Sequence, residues 1–167
     1  MNWIKTRSCF FMFTLTNVIH FSRHQFHSNV IAFKQEYFFK NKDIFRYNSR
    51  ARKNFKKLKN YSNYVQDHHC IPREHRDHSL LKTLDFDVNC SKNIYIMPTK
   101  KGKYILNLHP ETMVHEGGHH HYNKFVKENL DEIDRNLNYD EKKYEFWLFL
   151  MFLKSNLKFN NDNIPWK

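Results

Sequence analysis

Histidine is concentrated in one internal stretch, residues 67–122, and this stretch constrains the molecule more than any other feature of the chain. Nine of the twelve histidines lie in it, together with all three glycines. Histidine at this density is typical of metal centres and proton-transfer sites. An affinity tag would be terminal and contiguous, whereas this cluster is internal and divided into segments. We therefore take this stretch as the centre of the functional site.

Length and composition favour one domain with at most one appended arm, since the chain has 167 residues. Hydrophobic residues make up 40% and aromatic residues 17%, which allows a core and excludes a wholly disordered chain. The three cysteines, Cys9, Cys70 and Cys90, are scattered and contain no CxxC pair. We therefore expect no disulfide framework and no cysteine-based zinc site, and a reducing compartment.

The net charge of +11 is distributed unevenly along the chain. Residues 1–66 contain thirteen Lys or Arg and two acidic residues, whereas residues 67–167 contain fifteen of each sign. A one-sided basic segment favours a polyanionic partner such as nucleic acid or an anionic membrane surface, although it can also serve solubility alone. The candidate nucleic-acid contacts are Arg50, Arg52, Lys53, Lys56, Lys57 and Lys59.

The first 21 residues have the outline of a signal peptide, with Lys5 and Arg7 ahead of a rather apolar run. Polar residues interrupt that run, and no small-x-small cleavage site follows it. No segment approaches the roughly 18 apolar residues that a membrane span requires. We expect an intracellular, cytoplasmic protein that is not secreted.

Hydrophobic periodicity predicts alternating short elements followed by two longer helices. The predicted elements are a strand or extended turn at 64–71, a helix at 73–84, a strand at 93–97, a turn at 99–103, a short strand at 104–108, a helix from His115 or His119 to 133, and a last helix that follows its N-cap and runs to about 157. Asn138 or Asp140 is the expected N-cap of the last helix. Residues 146–153 are apolar all round, which indicates a buried helix or a partner interface, and residues 160–167 are predicted to be loose.

His115 and His119 form an HxxxH pair, and residues four apart on a helix share a face. Gly117 and Gly118 between them would each cost a helix interior about 1 kcal/mol relative to Ala, which indicates a backbone that bends or approaches something closely. Spacing alone also allows His120 as a ligand. The zinc metalloprotease motif HExxH is satisfied as well, with Glu116 as its base, but the glycines interrupt the helix that this motif requires.

His68 and His69 are adjacent in a segment that is predicted to be extended. Neighbouring side chains on a strand point to opposite sides, so one imidazole can bind a metal while the other faces substrate. Pro72 biases Ile71 away from helix and ends the segment.

In this order, the motifs resemble the AHH-type nucleases of the HNH/endonuclease VII superfamily, also called ββα-metal or His-Me finger nucleases. The resemblance covers about residues 67–134 and rests on Asp67-His68-His69-Cys70-Ile71-Pro72, Leu80-Leu81, Asn93-Ile94-Tyr95-Ile96-Met97-Pro98 and the run from His115 to Val126. The chain departs from the family pattern at Asp67, where the family name expects Ala. That carboxylate is expected to enter the metal's shell, to orient His68 or to be exposed.

The resemblance implies an α+β fold with a small ββα-metal core at 67–134. A basic, aromatic-rich segment (1–66) and an apolar helix with its tail (135–167) would flank this core with helices. It further implies an endonuclease that hydrolyses phosphodiester bonds of DNA or RNA. Two alternatives to the nuclease remain: the zinc metalloprotease described above, and a non-catalytic protein that binds metal or nucleic acid.

The resemblance also implies site roles, with His69 as general base and His68, His115 and His119 as metal ligands. Asn93 would tie the ββ loop together and hold the base in place. An imidazole with a pKa near 6.5 is mostly neutral at pH 7 and accepts a proton from water. Three imidazoles suit zinc, nickel or manganese, whereas magnesium would need oxygen ligands from Asp67 and the substrate phosphate.

Overall fold

The computed structural model describes residues 43–159 and 163–166, and the described residues from Ile44 onwards form one compact unit. The described residues contain five α-helices and one two-stranded antiparallel sheet. The elements are α1 (Arg50–Leu58), β1 (Val65–His69), α2 (Ser79–Thr83), β2 (Ile94–Pro98), α3 (Lys100–Ile105), α4 (His120–Asn136) and α5 (Tyr139–Phe159), with short 3-10 helices at Arg73–His75 and Ser91–Asn93. The predicted α+β class, a small ββα core with flanking helices, is confirmed.

The sheet pairs β1 with β2 so that His68 lies opposite Tyr95 and His69 opposite Ile94. In β1, Val65 and His68 are buried while Gln66 is exposed, and because Val65 and His68 lie on opposite faces of the strand, both faces are partly covered. The segment between the strands holds α2, whose Leu80 and Leu81 are buried. The strands at 64–71 and 93–97 and the helix within 73–84 were therefore predicted at the correct places.

Residues 99–108 were predicted wrongly, because the structure forms helix α3 where a turn and a second strand were expected. The Thr99 side chain caps this helix by accepting a hydrogen bond from the Gly102 backbone N–H at 3.0 Å. A Cβ at Gly102 would lie 1.7 Å from the Tyr64 carbonyl oxygen. The glycine therefore permits α3 to approach the chain ahead of β1, rather than marking a turn.

The core is formed mainly by α4 and α5, whose inward faces are fully buried. These faces present Tyr122, Phe125, Val126, Leu130 and Ile133 from α4 and Phe146, Phe149, Leu150, Leu153 and Leu157 from α5. Asn138 caps α5, because its Oδ1 accepts the Glu141 N–H and its own N–H donates to Glu141 Oε2. Of the two predicted caps, Asn138 is the correct one. Met151 is 65% exposed, so α5 is not buried all round.

The C-terminal tail was predicted to be loose, which is wrong for residues 163–166. Ile164 is buried, and the Trp166 ring contacts the histidine cluster described below. Residues 160–162 and 167 lie outside the described residues. Residues 1–42 do so as well, including most of the basic segment and the signal-peptide-like run. Over the described part of the chain, every helix is too short or too polar to cross a membrane.

Candidate metal centre and general base

Three histidine rings from separate parts of the chain meet beside the sheet. His68 comes from β1, His115 from the loop after α3, and His119 from the position just before α4. Their ring centroids lie 5.5 Å (His68–His115), 5.5 Å (His68–His119) and 4.9 Å (His115–His119) apart. One nitrogen from each ring lies within 4.8 Å of the others. The structure thus brings together the three side chains that the resemblance implied as ligands.

The backbone places His115 and His119 through a loop and not through a helix. The His115 N–H donates to the Pro98 carbonyl at 2.9 Å, which fixes the loop to the end of β2. Gly117 has φ +65°, a left-handed conformation that favours glycine, and α4 begins only at His120. The predicted shared helical face of HxxxH is therefore wrong, and the continuous helix of the protease motif is missing over residues 115–119.

Several ring nitrogens of the cluster are buried without a hydrogen-bond partner. They are His68 Nε2 and both nitrogens of His119, and in the described residues no other buried side-chain nitrogen or oxygen is in this state. A buried polar atom without a partner costs about 1–3 kcal/mol, so native structures seldom keep one without a reason. A metal ion bound by one nitrogen of each ring would remove that cost for His68 Nε2 and for one nitrogen of His119. The residues therefore fit a divalent ion.

Electrostatics keep the three rings neutral. Burial, together with charge repulsion from His115, His119 and His69, lowers the pKa of His68 to about 3. Burial likewise lowers the pKa of His115 and of His119. A neutral imidazole is the form that binds a metal ion, so the cluster is in its ligand form at neutral pH.

His69 lies on the opposite face of β1 from His68 and is held by two neighbours that the sequence did not suggest. Its Nε2 lies 3.2 Å from Asn89 Oδ1, and the Tyr47 ring packs on it with 4.5 Å between centroids. Burial lowers the pKa of His69, Asn89 opposes this by hydrogen bonding, and Arg73 adds to the lowering. His69 is therefore an oriented, neutral and partly exposed imidazole.

Asn93 is completely buried and ties together the loop between the strands. Its Nδ2 donates to the carbonyls of Ile71 and Val88, both at 2.8 Å, and its Oδ1 accepts the Ile71 N–H at 2.7 Å. The Asn93 backbone carbonyl also accepts the Cys70 N–H at 2.9 Å. These bonds hold the end of β1, where His69 lies, against the start of β2.

Asp67 has none of the three roles expected from the sequence. It shares the His69 face of β1, so it points away from the three histidines. Its carboxylate is only 9% exposed and pairs with Arg52 at 3.0 Å and Lys56 at 2.8 Å. Arg52 and Lys56 therefore pair with a carboxylate inside the molecule, and their prediction as nucleic-acid contacts stays a prediction. Arg50, Lys53, Lys57 and Lys59 are exposed on or beside α1.

The remaining histidines divide into structural and exposed ones. His75 Nε2 lies 3.0 Å from the Asn123 carbonyl oxygen, and His78 caps α2 through Nδ1 while its Nε2 lies 3.0 Å from Asp131. His120 and His121 are exposed, and neither joins the described cluster. The open choice between His119 and His120 is thus resolved in favour of His119.

A small antiparallel sheet with a helix behind it, histidines on both faces of its first strand and a loop tied by asparagine defines a nuclease core of the ββα type. A family model described as AHH, a nuclease family of the HNH/ENDO VII superfamily with conserved AHH, matches residues 49–146. The chain belongs to this family and is a nuclease of the HNH/ENDO VII superfamily. No curated protein and no solved structure matches the chain.

Proposed function

We propose that this nuclease is a metal-dependent endonuclease that hydrolyses phosphodiester bonds of DNA or RNA. The observation that carries the proposal is the convergence of His68, His115 and His119, which each contribute a nitrogen within 4.8 Å of the others. His69, the proposed base, directly follows His68 in the sequence. Consecutive Cα atoms are about 3.8 Å apart, so the proposed base His69 and the proposed ligand His68 are neighbours in β1, with their side chains on its two sides. His68, His115 and His119 would hold the ion, which is zinc, nickel, manganese or magnesium.

His69 acts as general base in the proposed reaction. Its neutral imidazole takes a proton from a water molecule as the water oxygen forms a bond to phosphorus and the bond to the leaving oxygen breaks. Asn93 and Asn89 hold the imidazole in position, the first through the loop and the second through Nε2. A bound ion supplies positive charge to the phosphate and the leaving oxygen.

The exposed bases of α1 contact the phosphate backbone in this proposal. Arg50, Lys53 and Lys57 lie on the helix and Lys59 caps its end. The same cations would contact any phosphodiester chain, so they favour nucleic acid without discriminating DNA from RNA. They belong to the basic segment 1–66, which precedes the proposed core at 67–134 in the sequence.

The test is cleavage of plasmid DNA and of RNA by purified protein with a series of divalent ions. His69→Ala should abolish cleavage while the bound metal is retained, whereas His119→Ala should lower metal content and activity together. His121→Ala is the matched control, because this histidine is exposed and outside the cluster. Unchanged cleavage by His69→Ala contradicts the base assignment. Wild-type protein that binds metal but cleaves neither polymer would favour a non-catalytic binding protein.

Glu116→Gln separates the nuclease from the metalloprotease alternative. In a protease of the HExxH type this change removes the general base and with it the peptidase activity. In the proposed nuclease, Glu116 lies in the loop between two ligands and takes no part in proton transfer. We expect Glu116→Gln to keep nuclease activity; loss of a peptidase activity in this variant would support the protease.

A further inference from the structure

The chain returns to the histidine cluster after α5. Asn163 Nδ2 donates to Asn156 Oδ1 at 3.4 Å, and Ile164 is only 4% exposed, so the segment is attached to the helical core. This attachment places Trp166 beside the cluster, 47 residues after His119 in sequence. Trp166 itself belongs to none of the recognised motifs and lies outside the residues that the family model matches.

The indole ring of Trp166 packs against two of the three candidate ligands. Its centroid lies 4.1 Å from that of His119, with 39° between the ring planes, and 5.0 Å from that of His68. It also lies 5.4 Å from the Tyr122 ring, whose hydroxyl donates to the Cys70 carbonyl. Trp166 therefore forms one wall of the cluster, continuous with the buried face of α4.

Metal-binding histidines normally donate their second ring N–H to a carboxylate, carbonyl or water, which sets the tautomer and the ring angle. Neither ring nitrogen of His119 makes a hydrogen bond of ordinary geometry. Burial lowers the pKa of His119, but the Trp166 backbone is nevertheless close enough to raise it in opposition to that effect. The position of His119 before the first turn of α4 leaves ring rotation to be limited by packing, and the nearest aromatic face is that of Trp166.

We infer that Trp166 is a positioning residue of the metal centre. Its flat face holds the His119 ring at one angle and keeps water from the buried side of the cluster. This inference rests on the proposed metal-dependent function. Loss of outer partners of metal ligands typically lowers metal affinity by about 10- to 100-fold, and we expect Trp166→Ala to fall in that range.

The first measurement is titration of Zn²⁺ alone into metal-stripped full-length protein. Trp166→Ala should weaken Zn²⁺ binding about 10- to 100-fold, and Trp166→Phe should restore most of it because a flat ring remains. Tyr144→Ala is the matched control: it truncates an aromatic side chain on α5 that is 62% exposed, and it should bind Zn²⁺ as the wild type does. Thermal melting without metal shows whether each variant is folded. If Trp166→Ala does not fold, the Zn²⁺ affinity of Trp166→Phe is compared with that of the wild type instead.

The second measurement is indole fluorescence, which reports proximity independently of affinity. In a Trp3→Phe/Trp147→Phe protein, Trp166 is the remaining tryptophan, and Co²⁺ should quench its emission in a saturable way. Wild-type protein that binds no metal would contradict the metal centre itself. Wild-type Zn²⁺ binding with unchanged affinity in Trp166→Ala would overturn only the positioning role. Faster cleavage by that variant at unchanged affinity would identify Trp166 as an obstructing lid instead.

Discussion

At the scale of single residues, the proposed base depends on Asn89 for its orientation. If Asn89 Oδ1 accepts the Nε2–H of His69, the free electron pair is left on Nδ1, where it can receive a proton from water. Asn89→Leu should therefore lower kcat by about tenfold, a part of what general base catalysis contributes, with little change in KM. Asn89→Asp keeps the acceptor and should lose less. Equal kcat values for Asn89→Leu and the wild type in steady-state cleavage would contradict this role.

Asn93 is expected to matter for stability as well as for the site. Asn93→Ala would leave the buried Ile71 N–H and the carbonyls of Ile71 and Val88 without their partner. Each unsatisfied buried group costs about 1–3 kcal/mol, so the free energy of unfolding should fall by roughly 3 kcal/mol or more. Urea unfolding measures this loss. His109→Ala, a change at an exposed histidine, is the control and should leave the midpoint unchanged.

Asp67 shows why a change towards the family residue is expected to be harmful here. Asp67→Ala introduces the alanine of the AHH name but leaves Arg52, whose side chain is 8% exposed, as a buried charge without its partner. Removing one member of a buried ion pair costs about 3–5 kcal/mol. The double variant Asp67→Ala/Arg52→Met should recover part of that loss, because the buried guanidinium is then gone while Lys56, whose side chain is 15% exposed, still lacks its partner. Denaturant unfolding of the two variants tests this; equal stability of both would contradict it.

At the scale of elements, Gly102 and Gly117 are needed for different reasons: Gly102 because another part of the chain packs closely against it, and Gly117 because of its left-handed backbone conformation. Gly102→Ala would place Cβ 1.7 Å from a backbone oxygen, which only movement of α3 relieves, so we expect a loss of about 1–3 kcal/mol or more. Gly117→Ala meets no atom but must keep φ +65°, which costs about 1–2 kcal/mol. Gly118→Ala is the control, with free space and no left-handed φ. Thermal melting of metal-free protein ranks the three.

The elements that sequence analysis predicted correctly are those with a local signal. The strands at 64–71 and 93–97 end at proline, and α4 and α5 carry apolar residues at helical spacing. Helix α3 was missed because its glycine is explained by a carbonyl 38 residues upstream, at Tyr64. The loop conformation of His115 was missed for a similar reason, since its N–H is held by Pro98. Local patterns do not contain such long-range interactions.

At the site, too, residues with a sequence signal were predicted, and residues that depend on long-range contacts were not. Pattern and resemblance supplied the three histidines that converge, because their order along the chain is characteristic of the family. They did not supply Asn89, Tyr47 or Trp166, which reach the histidines only through the folded structure. They also did not reveal that Asp67 pairs with Arg52 and Lys56, which lie 15 and 11 residues before it in the sequence.

At the scale of the whole molecule, the charge asymmetry predicts how substrate binding depends on salt. Each cation that neutralises a phosphate contributes about 0.9 to the slope of log K against log salt for duplex DNA, and about 0.7 for a single strand. Lys53→Ala/Lys57→Ala removes two such cations and should therefore flatten the slope on duplex DNA by about twice the single-cation value. Metal-stripped His69→Ala protein allows the measurement without cleavage.

Two controls make that experiment specific to the exposed face of α1. Lys143→Ala removes an exposed lysine from α5 and should leave the slope unchanged. Lys56→Ala removes a lysine that already pairs with Asp67 and should also change the slope little, although it is on the same helix. If Lys56→Ala flattened the slope as much as Lys53→Ala, net charge alone would govern binding. Different slopes for Lys53→Ala and Lys56→Ala would instead locate the phosphate-binding cations on the outward side of α1.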